Sequence, residues 1–452
     1  MRRGTAAYVF VFLLGLGWTV YLWFRSNGPL FDDEIGHFLL SRDAFRDLRN
    51  LLELWGRPVN TLTYALPALF GLQWARFLSI VLSVVTVLVA TRLAIVLNVR
   101  RLYLVPAFLW FQPWFADLGY CVITEVPFSL WLVSGTCFWA MGRLTAASVF
   151  FGLLPLTRHE GIALVVLWCV YMAARKEWRA ALLGVLPTLL YNLANLAANG
   201  SAAYAIYFNS RPTELYGRGD WFHFLPALLY QVGKPVLVLA LIGALSLQRP
   251  KGRRRFFLGA LIYFAIHTVI YRFGLYASGG YELFLLPIAP ACALAAVFGL
   301  EWVEGALHRV LQQVSLGGRF PRTAVSLALG LAVVVTMAYG MRGARPHPLT
   351  PEPAAMREAS DWLKLQGLGS RPIVAVNVHF YYFHPRPVGP GHYWWIVPNL
   401  GGLEKGTVAV WDRHYSDRWG LLLADLSDAR HGWRRLSSFG PNEFVILFEK
   451  TQ

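Results

Sequence analysis

Charge is scarce in this chain of 452 residues: Asp, Glu, Lys and Arg make up 15% of it while 56% is hydrophobic, against about 25% charged in ordinary soluble domains. That deficit argues against a single soluble globule. Lysine is rarer still, 6 residues against 35 Arg, a balance typical of a GC-rich bacterial gene. Only four cysteines are present, Cys121, Cys137, Cys169 and Cys292. All four fall inside apolar stretches, with neither the spacing of a disulfide framework nor that of a zinc site. Acids are also few, which leaves a net charge of +16. In a soluble protein such an excess raises nucleic acid as a partner, but here the arginines lie between long apolar runs. A membrane is the better explanation, and no nucleic-acid partner is expected.

A hydrocarbon core of about 30 Å needs roughly 20 apolar residues in helical form, fewer where the bilayer thins locally. Eleven segments qualify as spans, over 5–24, 74–97, 102–118, 124–141, 144–156, 160–174, 180–198, 235–248, 256–272, 281–300 and 323–341. The first follows Met-Arg-Arg and has no small-residue cleavage site before its polar flank, so a retained span is expected and not a signal peptide. With the amino terminus inside, the cytoplasmic segments collect sixteen basic residues, among them Arg100, Arg101, Arg143, Arg175 and the Arg249–Arg255 cluster, against three acids, Glu177, Glu301 and Glu304. Positive short loops stay cytoplasmic, so the excess of basic residues is a topology signal. The expected fold class is an α-helical polytopic membrane protein of about eleven transmembrane helices.

Beyond about residue 345 the texture changes. The stretch Arg345-Pro-His-Pro-Leu-Thr-Pro-Glu-Pro353 reads as a linker, and polar and apolar residues then mix as in a soluble domain. Periodicity predicts a helix over 354–366, strands over 372–378 and 407–411, a helix near 418–427 and a hairpin over 433–449. The expected division is a membrane catalytic domain over 1–344 and a small extracytoplasmic α/β domain over 345–452. No internal repeat is evident.

Twelve of the fifteen acids in the membrane part fall on the outward side, and ionisable groups held near hydrocarbon on one face usually line a cavity or a site. The strongest element is Phe31-Asp-Asp-Glu-Ile-Gly-His37, directly after the first span. Three adjacent acids raise the pKa of at least one unless a cation or metal is near. This suits Asp33, Asp32 or Glu34 to work as a general base, and Asp33 with Glu34 to bind a divalent cation such as Mg or Mn. Helix capping by Asp32 or Asp33 is the structural alternative, but a cap needs one acid and not three. A second element, Leu156-Thr-Arg-His-Glu-Gly161, brings Arg158, His159 and Glu160 to the outer side between two short spans. The forked guanidinium of Arg158 suits a phosphate. Glu125 opens the fourth span, Arg211 lies in the long outer loop 199–222, and Arg272 stands near Tyr281 and Glu282 around the ninth and tenth spans. Together these make an outward cavity with a base, anion-binding cations and aromatic surfaces.

That pattern resembles the C-type glycosyltransferase superfamily (GT-C), polytopic enzymes that take sugars from polyprenyl-phosphate carriers, and especially its bacterial members similar to protein mannosyltransferases and aminoarabinose transferases. The resemblance covers about 5–300 and rests on the Asp33-Glu34 pair, Gly56-Arg57-Pro58, Glu125 and Arg158-His-Glu-Gly161, similar to an Arg-Pro-Glu-Gly type motif. His159 stands where Pro is common, and Asp32 is an additional acid. The resemblance implies an enzyme of the bacterial inner membrane that transfers a sugar with inversion to an extracytoplasmic lipid, glycan or protein. An external carboxylate, Asp33 or Asp32, deprotonates the acceptor hydroxyl, whose oxygen attacks the anomeric carbon as the lipid phosphate leaves. It further implies Glu34 and Glu125 in support of the base, and Arg158, Arg211 and Arg272 on the donor phosphate. A flippase would show repeated halves and broken helices at the midplane. A polysaccharide ligase would give no reason for the Asp-Asp-Glu loop.

In the outer domain, His379, His384 and His392 lie among aromatic runs. Their spacing matches no standard metal motif, and exposed Trp and Tyr such as His392-Tyr-Trp-Trp395 suit acceptor binding or docking.

Overall fold

The computed structural model describes residues 2–29, 31–209, 216–246, 251–276, 278–313, 319–390 and 392–451. The chain is a largely α-helical, multi-pass membrane protein. Among the described residues six helices are long and apolar enough to cross a bilayer: Gly4–Arg25, Leu72–Val96, Trp178–Asn199, Phe224–Ser246, Glu282–Leu311 and Thr323–Gly343. Leu144–Thr157, Gly161–Ala174 and Phe257–Arg272 are apolar helices of shorter reach. The apolar rows that these helices leave uncovered repeat at helical spacing. On Trp178–Asn199, for example, Leu182, Leu189, Leu193 and Leu196 are all exposed, as a lipid-facing stripe requires.

Two of the expected spans are interrupted. The stretch 102–118 is two helices, Leu104–Trp110 and Pro113–Leu118, because Gln112 precedes a proline and adopts an extended conformation (ψ 127°). The helical stretch Leu144–Thr157 is likewise stepped at Leu153, where Pro155 opens a last short turn, and it ends at Arg158, which is extended (φ −150°, ψ 134°). The expected span 281–300 is longer than read, since a 3₁₀ segment Glu282–Ile288 runs into the helix Ala289–Gln313. The span 235–248 begins earlier, at Phe224, with one turn widened over Leu229–Gly233.

Contacts divide the chain into two compact units, Met1–Phe24 with Arg57–Asn60 and Arg76–Pro346, and Arg25–Gly56 with Thr61–Ala75 and His347–Gln452. In the first, the helices Lys234–Ser246 and Ala289–Gln313 pack so closely that a Cβ at Gly243 would fall on the carbonyl of Ala295, and one at Gly299 on that of Leu239. Small residues permit such approach, which is how helices associate where no hydrophobic driving force separates lipid from protein. The Arg100 backbone donates to Glu301 (2.8 Å) and Arg101 pairs with Glu304, so two of the three acids expected on the inner side meet basic residues expected there.

The second unit is built on a four-stranded sheet in the order β1-β2-β4-β3, with β1 Ile373–Ala375, β2 Val408–Asp412, β3 Trp433–Phe439 and β4 Val445–Lys450. β1 and β2 are parallel; the other pairs are antiparallel. β2 is buried along its whole length because both faces are covered. Val408 and Val410 face the helix Pro351–Leu365 through Met356, Ala359 and Leu363, while Ala409 and Trp411 pack with Leu421, Leu426 and Trp433. The helix Asp32–Asp43, directly after the first long helix, belongs to this unit and not to the membrane helices.

Candidate active site

The Asp-Asp-Glu motif forms the first turn of the helix Asp32–Asp43. Phe31 is its N-cap and makes no side-chain cap, and Asp32 and Asp33 stand inside the first turn, so neither is the N-cap residue considered from sequence. All three acids nonetheless sit at the positive end of the helix dipole. Asp32 is held from both sides: Nε2 of His379 lies 2.6 Å from one carboxylate oxygen, and the Tyr415 hydroxyl donates to the other. Burial raises the Asp32 pKa, but the hydrogen bond and charge of His379, the hydrogen bond of Tyr415 and the charge of His414 outweigh it and hold the carboxyl below its ordinary value. Crowding among the three acids therefore does not make Asp32 a weaker acid. Asp33 is partly exposed and lies within electrostatic range of Tyr415, whereas Glu34 is wholly buried.

The residues that grip Asp32 are themselves fixed. Asp412, at the end of β2, accepts the backbone N–H groups of His414 and Tyr415 (3.0 and 2.8 Å) and the Ser416 hydroxyl (2.8 Å). His379 opens the short helix Val378–Phe383, where its N–H caps onto the Asn377 side chain. The same Asn377 donates to Glu352 (2.9 Å), which also meets His414 (3.1 Å). At the far end of the Asp32–Asp43 helix, Asp43 is buried, pairs with Arg42 (2.7 Å) and accepts the backbone N–H of Val388 (2.9 Å). Gly36 lies under the indoles of Trp55 and Trp394, which a Cβ would strike, and His37 stacks on Trp55 at 4.3 Å.

His379, His384 and His392 do not converge. His384 bonds to the Gly369 carbonyl and Ser360, and His392 is exposed. Among the described residues no three His, Cys, Asp or Glu side chains form a metal-ligating group. No such cluster supports the divalent cation that the sequence had raised at Asp33 and Glu34.

A second polar group lies in the other unit. Arg158 is about 1% exposed, pairs with Glu125, bonds Thr124 (3.0 Å) and Glu160 (3.1 Å), and stacks over the Phe284 ring at 4.2 Å. The extended backbone at Arg158 makes this possible by turning its side chain out of helical register between two short helices. Arg57 is close enough for its charge to act on both Glu125 and Glu160, so two cations and two carboxylates balance. Arg158 Nε, Glu160 Oε2 and both ring nitrogens of His267 are buried without a hydrogen-bond partner among the described residues. Each such atom costs about 1–3 kcal/mol unless water or a ligand meets it, so this group has unused capacity for a polar ligand. His159 packs between Tyr204 and Tyr207 (4.4 Å).

Of the other residues singled out from sequence, Arg272 lies over Trp221 at 5.9 Å, Tyr281 is exposed against Phe284, and Glu282 offers its backbone carbonyl to Gln231. Arg211 lies outside the described residues, as do Arg249 and its neighbour Pro250. Three members were missed. Arg57 belonged to a quoted motif but received no role, although its left-handed backbone (φ 60°) before a proline is uncommon for a bulky residue. His267 carried a usable signal, an ionisable residue within an apolar span. Tyr207 carried none.

No family model matches the chain, and no curated protein matches its sequence. Solved structures do match in fold. ArnT from Cupriavidus metallidurans, crystallised with undecaprenyl phosphate, is 14% identical, with 97% of this chain and 98% of that one covered at a TM-score of 0.65. The archaeal oligosaccharyltransferase AglB from Archaeoglobus fulgidus, in complex with an inhibitory peptide and a dolichol-phosphate, is 12% identical over 84% of this chain and 60% of its own, at 0.51. The mycobacterial arabinofuranosyltransferase AftD is 12% identical over 98% of this chain and 40% of its own, also at 0.51. Over 97% of its length the chain has the fold of ArnT from Cupriavidus metallidurans.

Proposed function

We propose that the protein is a membrane glycosyltransferase that moves a sugar, with inversion, from a polyprenyl-phosphate donor to an extracytoplasmic acceptor. The observation that carries this reading is the end-to-end likeness to ArnT, a protein crystallised with undecaprenyl phosphate. The polar group around Arg158, with its unmet hydrogen-bonding capacity, supports it. In this reading all eleven sequence-derived spans are embedded, the amino terminus is cytoplasmic, 1–344 is the catalytic part and 345–452 is extracytoplasmic in a bacterial inner membrane.

Asp33 is the general base. Asp33 is partly exposed, next to an Asp32 that His379 and Tyr415 hold in place, while Glu34 is wholly buried, which supports Asp33 as the acid of the motif that takes a proton from an acceptor hydroxyl. The acceptor oxygen bonds to the anomeric carbon as the bond from that carbon to the phosphate oxygen breaks. The lipid phosphate leaves with the electron pair, and its developing charge is met by preorganised cations. Arg158 is engaged by two carboxylates, which suits it to organise the group. Arg57, partly exposed, takes the phosphate, with Arg211 and Arg272 as further cations. Glu125, Glu160, His159, Tyr281 and Glu282 shape the pocket. Membrane lipid surrounds the enzyme, and no metal enters the proposed steps.

The test is incubation of purified protein in nanodiscs with labelled mannosyl-, aminoarabinosyl- and arabinofuranosyl-polyprenyl phosphates and lipid, glycan and peptide acceptors. The reading expects sugar on an acceptor and free polyprenyl phosphate in equal amounts. Translocation of the intact donor without turnover would instead establish a flippase.

A further inference from the structure

We propose that His379 and Tyr415, both in the carboxy-terminal domain, are positioning residues for sugar transfer: they fix Asp32 and thereby aim the first turn of the Asp32–Asp43 helix, so that the outer domain is a working part of the catalytic apparatus. The inference rests on the assignment of Asp33 as base. Asp32 is the residue before that base and the first of its helix. Its two oxygens are bound by side chains 347 and 383 positions further along the chain. A carboxylate has no proton to give, so Nε2 of His379 carries one and donates it. That ring is about 3% exposed, and its Nδ1 has no hydrogen-bond partner among the described residues. Asp32 is thus the side-chain partner that the imidazole serves among the described residues.

Two features separate this arrangement from ordinary domain packing. The ties at the far end of the helix run largely through backbone groups, the Arg386 carbonyl and the Val388 N–H, whereas Asp32 at the acidic end is gripped by the side chains of His379 and Tyr415. Those side chains are also braced from behind, Tyr415 by the Asp412 turn and His379 by the Asn377 cap. Such support holds a reacting group within the narrow range that a bimolecular transfer needs, and a displacement of about 1 Å can cost 10²-fold.

The test uses the full chain in nanodiscs, as wild type and as His379→Ala, His379→Gln and Tyr415→Phe. Two readouts are taken: turnover with the labelled polyprenyl-phosphate sugars, and backbone hydrogen exchange over 32–43 without any ligand. For His379→Ala the proposal expects kcat to fall by about 10- to 100-fold with donor KM changed by about 2-fold or less. It also expects faster exchange confined to 32–43. His379→Gln, which keeps a donor near the Nε2 position, restores most of both, and Tyr415→Phe gives a smaller loss of the same kind. Full kcat in His379→Ala, or unchanged exchange over 32–43, overturns the proposal. So does a kcat loss that appears without faster exchange. If His379→Ala does not fold, the Gln and Phe variants carry the same two criteria. A wild type that transfers no sugar counts against the functional reading, while the exchange data still decide whether the tether exists.

Discussion

Asp32 and Asp33 are neighbours of the same chemical type, and the difference between them lies in what surrounds each. From sequence alone either could be the base. The choice of Asp33 depends on His379 and Tyr415, more than 340 positions away, which no local pattern announces. A similar division separates Arg57 from Arg158. The latter was legible as a cation at membrane depth, but its partners Glu125 and Glu160 occupy it. Removing it leaves two buried carboxylates unpaired, and breaking a buried ion group costs about 3–5 kcal/mol. Arg158→Ala is therefore expected to unfold at markedly lower temperature than Glu125→Gln, as thermal unfolding in detergent will show. Arg57→Ala is expected to act on donor use. A charge-assisted contact to a phosphate is worth about 1.5–3 kcal/mol, so kcat/KM for the donor should fall by about 10- to 100-fold; a stable variant with undiminished donor use would remove Arg57 from the phosphate site.

The helices were legible because apolar runs of this length have little alternative, and the strands because residues such as Val408, Val410, Val445 and Leu447 alternate with residues of the opposite face. The interruptions were not read, although Pro113 and Pro155 mark them, since apolarity alone does not register a missing backbone donor. Nor was the crossing at Gly243 and Gly299 read, because it is a relation between two helices. It predicts that Gly243→Val will prevent accumulation of folded protein, as judged by monodisperse elution in detergent. Gly330→Ala, where a Cβ meets nothing within 4 Å, should elute as wild type. At the loop after β2, His414 has its pKa raised by its hydrogen bond to Glu352, against burial, with the charges of Glu352, Asp32 and Asp412 adding to the rise. A group whose pKa is raised on folding contributes stability that is complete below its unfolded value, about 6.5, and is lost as pH rises through the folded value. Unfolding temperature should therefore decline modestly above pH 6.5, and His414→Gln should flatten that part of the profile; an identical profile in the variant would remove the contribution.

On the scale of the whole molecule, the division expected from sequence, 1–344 and 345–452, is overlaid by a division in packing that groups Arg25–Gly56 with His347–Gln452. The change of composition after residue 345 was readable. The return of the chain to the stretch after its first long helix was not, because the contacts made by Asp43, Asn50 and Trp55 with Val388 and Trp394 involve no shared motif. The +16 net charge that first raised nucleic acid is what basic cytoplasmic loops give in the proposed orientation. What remains for chemistry is one acidic loop and one buried group of balanced charge, and the account stands on the claim that Asp33 moves the acceptor proton. The most direct measurement is transfer of labelled sugar from a polyprenyl-phosphate donor by purified wild type and Asp33→Asn in nanodiscs, with donor binding measured on the same samples. The account predicts that the variant binds donor as wild type does and loses transfer by at least about 10²-fold, the lower end of what a general base contributes. Transfer by Asp33→Asn within a few-fold of wild type would contradict it.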